Sequence, residues 1–274
     1  MPDPLVPDHH DRLHADRVTL GYDGDPILAD LSTTIPDGSF TAIIGPNACG
    51  KSTLLRGLSR LLTPASGRIV LDGKEITSRP AKDVAKRLGL LPQTAIAPDG
   101  ITVADLVGRG RYPHQGLLRQ WSDDDEAAVQ DALDATGTRE LAPRRVDALS
   151  GGQRQRVWVA MVLAQQTDLL LLDEPTTFLD IAHQVDLMEL FAHLNRGGRT
   201  VVAVLHDLNQ AARYADHIIA MRGGRVLTTG APAEVVTSAW VQEIYGLPNV
   251  VIEDPITGGP LVVPRRVPVQ EPTR

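Results

Sequence analysis

Short, mostly apolar runs recur along this chain at 40–44, 88–91, 169–173, 200–205 and 217–221. Runs of this length are too short for buried helices and fit strands covered on both faces. With two further runs, 18–20 and 68–71, they make seven predicted strands. Between them the apolar period lengthens. After Lys51, leucines at 54, 55, 58, 61 and 62 share one helical face, and Pro64 would stop that helix. Over 181–195, Val185, Met188, Phe191 and Leu194 form another inward face, ahead of Gly197 and Gly198 as terminators. Strands alternating with amphipathic helices predict an α/β fold on a mostly parallel sheet.

The stretch 94–163 has a different texture. It lacks convincing strands and carries helical patterns such as 123–136, which opens on Ser122 followed by Asp123, Asp124, Asp125 and Glu126. Acidic side chains suit the positive end of a helix. The expectation is a mostly helical lobe inserted into the α/β core. Further on, 250–253 and 261–263 flank Asp254-Pro255-Ile256-Thr257-Gly258-Gly259, the pattern of a small hairpin. The expected division is a flexible tail over 1–14, one domain over 15–263 with the hairpin at 249–263, and a second tail over 264–274.

Composition narrows the function. Of 274 residues, 42% are hydrophobic and 22% charged, which suits a packed globular domain. The net charge of −7 argues against a broad nucleic-acid face, which needs clustered Lys and Arg, so no nucleic-acid partner is expected. The single cysteine, Cys49, rules out an intramolecular disulfide and fits a reducing compartment. The first residues have no apolar stretch, so neither a signal peptide nor a transit peptide is expected. The longest apolar run, 157–164, is far below the ~18 residues that span a bilayer, so any membrane role would work through spanning partners.

Two motifs carry chemistry. Gly45-Pro46-Asn47-Ala48-Cys49-Gly50-Lys51-Ser52-Thr53 matches G-x-x-x-x-G-K-[ST] between a predicted strand and a predicted helix, the context of a phosphate-binding loop. Glycines let successive amides converge on phosphate oxygens, and the helix start adds a favourable dipole. Lys51 would neutralise the β and γ phosphates of ATP, and the Ser52 hydroxyl would ligate Mg²⁺. The run 169–172 of four leucines ends in Asp173-Glu174. Buried strands of open α/β sheets deliver ligand-binding residues at their C-terminal ends. There Asp173 would orient water on Mg²⁺ and Glu174 would act as general base. Cys49, near a helix start and Lys51, is in an environment that favours a thiolate, with a buried, inert thiol as the equal alternative.

Leu149-Ser150-Gly151-Gly152-Gln153 reads first as a capping box, S-x-x-Q, at a helix start. Placed about twenty residues before a leucine strand ending in Asp-Glu, it makes the chain resemble the ATP-binding-cassette ATPases over about residues 17–246. That resemblance implies a phosphate-loop NTPase core, with a RecA-like sheet, an antiparallel β lobe and an inserted helical signature lobe. It also implies roles for matching positions. Tyr22 would stack on adenine, and Gln93 would touch Mg²⁺ or water. Phe178-Leu179-Asp180 would cross to a second subunit. His206 would sense the γ-phosphate, completing a catalytic set with Glu174 and Lys51. Ser150, Gly151, Gly152 and Gln153 would face ATP held by the other subunit, so two copies would close as a homodimer around two ATP molecules.

A finer likeness rests on 108–114, 153–161, 173–183 and the loop 254–260. These segments resemble the importer branch for ferric siderophores, heme or cobalamin, with siderophores favoured. The implied setting is peripheral, on the cytoplasmic face of the membrane. The implied partners are two polytopic permease subunits and, indirectly, an extracytoplasmic substrate-binding protein. Three other classes fit less well. Chromosome-organising cassettes need long coiled coils, and no sustained heptads occur. Two-cassette translation factors need a second phosphate loop. Exporters commonly fuse membrane helices to the cassette.

Overall fold

The computed structural model describes residues 12–116, 121–177 and 179–265. Strands β1 (Leu13–Tyr22), β2 (Asp25–Ile35) and β3 (Phe40–Ile44) precede helix α1 (Lys51–Leu58). There follow β4 (Ser66–Leu71), β5 (Lys74–Glu75), α2 (Ala81–Ala85) and β6 (Leu88–Leu91). Next come α3 (Val103–Gly108), α4 (Asp123–Ala135) and α5 (Gly151–Ala164), with only short 3-10 turns among them. The core resumes with β7 (Leu169–Asp173), α6 (Ile181–Arg196), β8 (Thr200–Val204), α7 (Leu208–Tyr214), β9 (His217–Arg222) and β10 (Arg225–Gly230). Last are α8 (Pro232–Val235), α9 (Ser238–Tyr245) and the hairpin β11 (Asn249–Glu253) and β12 (Pro260–Pro264).

The central sheet has the order β10-β9-β3-β8-β7-β6, parallel from β9 to β6, with β10 antiparallel at the edge. A separate antiparallel sheet runs β2-β1-β4-β5. Alternation along the buried strands divides the core in two. Leu170 and Leu172 of β7, with Ala42 and Ile44 of β3, face the cluster containing α3, α4 and α5. Leu169, Leu171 and Ile43 face the other cluster, with α1 and the antiparallel sheet. Both lobes therefore rest on the same strands.

Local chemistry sets the helix limits. Ser122 caps α4 reciprocally with Asp125, and Ser150 caps α5 reciprocally with Gln153. Helix α1 is shorter than the leucine spacing predicts. Arg60 takes a left-handed backbone, φ 66°, and the Leu61 and Leu62 amides turn back to the Arg56 carbonyl, so the helix ends well before Pro64. Leu61 is consequently exposed. On α6, Met188 and Phe191 are buried as expected, but Val185 faces solvent. At the other end of the fold, Leu13 and His14 are part of β1 and pair with Ile35 and Thr34, so that part of the expected tail is strand.

Candidate functional site

The phosphate loop joins the end of β3 to α1. At Gly45 the backbone has φ 151°, and a Cβ there would lie 2.2 Å from the Met221 carbonyl oxygen on β9. Gly50, at φ 103°, is the residue before α1, and a Cβ there would strike Leu28 at 2.4 Å. Gly45 is thus demanded by close approach to backbone as well as by dihedral, and Gly50 by its dihedral. No side chain caps the first turn of α1. Lys51 is buried across the loop, and its Nζ donates to the carbonyls of Gly45 at 2.8 Å and Pro46 at 2.9 Å. Residues Asn47, Ala48, Cys49, Gly50, Ser52 and Thr53 form one wall of a cleft of about 470 Å³.

The opposite wall brings together residues from distant parts of the chain. Ser52 Oγ, on the loop wall, donates to Asp173 Oδ1 at 2.8 Å, and Asp173 itself lies buried behind the cleft lining. Asp173 is 2% exposed, and burial pushes its carboxyl up from the ordinary range, partly offset by the Ser52 hydroxyl. Beside it, Glu174 has left-handed backbone, φ 53°. Its side chain accepts from Gln93 Nε2 at 2.8 Å through one oxygen and lies 2.5 Å from His206 Nε2 through the other. Thr177 Oγ1 adds a longer contact at 3.3 Å. Gln93, Glu174 and His206 therefore converge at the mouth of the cleft, each delivered from the end of a parallel strand, β6, β7 and β8.

Other expected residues lie apart from this cleft. Tyr22, at the end of β1, is half-exposed, and its hydroxyl accepts from Arg56 Nη1 at 2.9 Å. Ser150, Gly151, Gly152 and Gln153 start α5, and Asp180 caps α6 through the His183 amide at 2.9 Å; none of them lines the cleft. Phe178 lies outside the described residues. Of the two readings of Cys49, the structure favours the buried, inert thiol over the thiolate. It is buried, and desolvation pushes the thiol up more strongly than Lys51 pulls it down. Sequence reasoning missed Ile27, an apolar part of the cleft wall, because it stands on the unpredicted strand β2.

What the arrangement offers chemically is a glycine-shaped anion cradle with a lysine, a buried hydroxyl–carboxylate pair of hard oxygen donors, and a second carboxylate held by an amide and an imidazole. Among the described residues, no helix is long and apolar enough to cross a membrane.

Comparison with known proteins agrees with this geometry. Residues 28–177 match the ABC transporter family. The ferric enterobactin transport ATP-binding protein of Escherichia coli (strain K12) is 58% identical, over 92% of this chain and 94% of its own length. The iron(3+)-hydroxamate import ATP-binding protein of Bacillus subtilis (strain 168) is 45% identical, over 91% of this chain and 93% of its own. Among solved structures, a dimeric post-hydrolysis ATP-binding cassette bound to ADP and Pi superposes with a TM-score of 0.72 at 27% identity, covering 80% of this chain and 98% of that one. With a phosphate cradle, an acidic strand end and near full-length relatives in agreement, the chain belongs to the ABC transporter family, among its ATPase subunits.

Proposed function

We propose that this chain binds ATP with Mg²⁺ and hydrolyses it to power uptake of ferric siderophores through partner membrane subunits. The carrying observation is Glu174, held between Gln93 and His206 beside the Ser52–Asp173 pair. Lys51 and the loop amides take the β and γ phosphates. The Glu174 carboxylate accepts a proton from the water that attacks the γ-phosphate, and His206 fixes the carboxylate's orientation. Ser52, Asp173 and Gln93 are oxygen donors of the kind Mg²⁺ prefers, and a cation would relieve the desolvated Asp173 charge. When bound there, Mg²⁺ supplies charge neutralisation to the phosphate oxygens.

Ser150, Gly151, Gly152, Gln153 and Asp180 sit off the cleft of their own chain, which supports the role the family resemblance implies for them, facing the ATP of a second copy. The active form is then a two-fold homodimer that closes on two ATP molecules and reopens after hydrolysis. The dimeric state of the similar cassette supports this reading. Tyr22 supplies the aromatic face for adenine. The dimer sits on the cytoplasmic face of the membrane against two polytopic permease subunits, fed by an extracytoplasmic binding protein.

The cargo assignment draws on relatives whose names specify ferric enterobactin and iron(3+)-hydroxamate. Under iron limitation, deleting the gene should abolish uptake of at least one ferric siderophore. The wild-type chain should restore it and Glu174→Gln should not. Unchanged ferric-siderophore uptake with impaired heme or cobalamin uptake would overturn the cargo assignment alone. Failure to co-purify with a polytopic membrane protein would overturn the importer reading.

A further inference from the structure

The segment between Glu174 and α6 is held by side-chain amides at several of its backbone carbonyls. Gln184, on α6, aims its Nε2 at the Leu179 carbonyl at 3.0 Å and more loosely at the Thr176 carbonyl at 3.4 Å. Its Oε1 accepts from Gln210 Nε2 of α7 at 2.9 Å. The amide orientation follows from this pattern, since only nitrogen can donate to the loop carbonyls. A third glutamine, Gln155 of α5, donates to the Pro175 carbonyl at 2.9 Å. Three loop carbonyls, of Pro175, Thr176 and Leu179, are thus held by amides from α5 and α6.

The far end of this chain of contacts is firmly seated. Gln210 stands in the first turn of α7, immediately after His206. Asp207 Oδ1 caps that turn, accepting from the amides of Asn209 at 2.7 Å and Gln210 at 3.2 Å. Asn209 exchanges hydrogen bonds with the Val262 backbone of β12, and Arg213 pairs with Asp254 at 2.7 Å. Helix α7 is therefore fixed to the terminal hairpin, and the loop after Glu174 is the part left to be placed. Both glutamines are only part-buried, so water can satisfy the loop carbonyls if the amides are removed. What the bridge supplies is location more than stability.

We propose that Gln184 and Gln210 form a positioning bridge that holds the backbone at Thr176 and Leu179, between Glu174 and Asp180, in register with His206. The bridge rests on the ATPase reading above. It sets where the catalytic carboxylate and the cap Asp180 stand relative to the histidine, and it touches no nucleotide. A displaced catalytic group costs rate far more than it costs affinity.

The test uses the purified full chain and follows kcat, ATP affinity and melting temperature. Gln184→Met and Gln210→Met should each lower kcat by about tenfold, the worth of one lost positioning hydrogen bond, with ATP affinity and melting temperature near wild type. The double variant should be no slower than either single, because each change breaks the same bridge. Gln210→Lys keeps a donor toward Gln184 Oε1 and should recover most of the rate. Wild-type kcat in Gln184→Met, multiplying effects in the double variant, or a matching loss of ATP affinity would each overturn the bridge. Glu174→Gln in the same assay separates the two claims. If it retains turnover, the ATPase assignment of the site fails; if it is inactive while Gln184→Met is fully active, only the bridge fails.

Discussion

Glu174 and His206 meet at 2.5 Å, oxygen to imidazole nitrogen, although they come from the ends of two neighbouring strands. The contact holds the carboxylate toward the cleft while Gln93 secures its other oxygen. Glu174→Gln preserves size and an acceptor for Gln93 but removes the base. Turnover should fall by about 10²–10⁴-fold, the range for losing a general base, while ATP binding persists. Size-exclusion chromatography with ATP should then show a trapped dimer. Near-normal turnover would remove Glu174 from its assigned role.

Asp173 offers a trade between stability and function. Burial raises its carboxyl above the unfolded value, so the folded state binds a proton more readily. Stability from this group is present at low pH and declines as pH rises through the folded value. At neutral pH, Asp173→Asn should therefore melt at a higher temperature than wild type without nucleotide, and should hydrolyse ATP far more slowly. Thermal melts with and without MgATP read both effects. A lower melting temperature for Asp173→Asn would contradict the desolvation argument.

The opposite sign holds at the terminal hairpin. The Arg213 guanidinium, with the Ile256 amide, holds the Asp254 carboxyl down at about 2. An unperturbed Asp titrates near 4, so this stabilisation is complete above that value and is lost as pH falls toward 2. Wild type should melt above Arg213→Met at neutral pH, and the gap should close between about pH 4 and pH 2. A gap independent of pH would mean that Arg213 contributes by packing alone.

Cys49 should be slow to react. Burial and a raised thiol both lower the thiolate fraction available at neutral pH. Iodoacetamide should label the folded chain much more slowly than the urea-unfolded chain, as intact-mass measurements would record. Equal rates would show that the loop opens readily in solution.

Much of this site is readable in one dimension because its parts are local. The phosphate loop announces itself by Gly45, Gly50, Lys51 and Ser52 within one short stretch, and β7 announces itself as a leucine run ending in two acids. Strand β2 hides because Asp30 adopts left-handed backbone, φ 51°, and its pairing with β1 shifts register. The period of two is broken there, and Ile27 of the cleft wall is lost with it. Val185 departs from the helical period for a different reason: α6 buries its inward face only from Leu187 onward, and Val185 lies before that point. The meeting of Gln184 with Gln210 has no sequence signal, since it depends on how α6 and α7 lie side by side.

The left-handed backbone at Glu174 limits how this position can vary. Two consecutive residues of a regular strand point to opposite faces. The turn at 174 takes Glu174 out of that alternation and into the cleft, while Asp173 stays buried against Ser52. Such a backbone tolerates glycine, asparagine or aspartate and penalises β-branched residues. Replacement by valine or threonine would therefore redirect the peptide as well as delete the acid. Glycine would relax the backbone while disarming the chemistry, so inactive descendants of this chain that carry glycine at 174 would still fold.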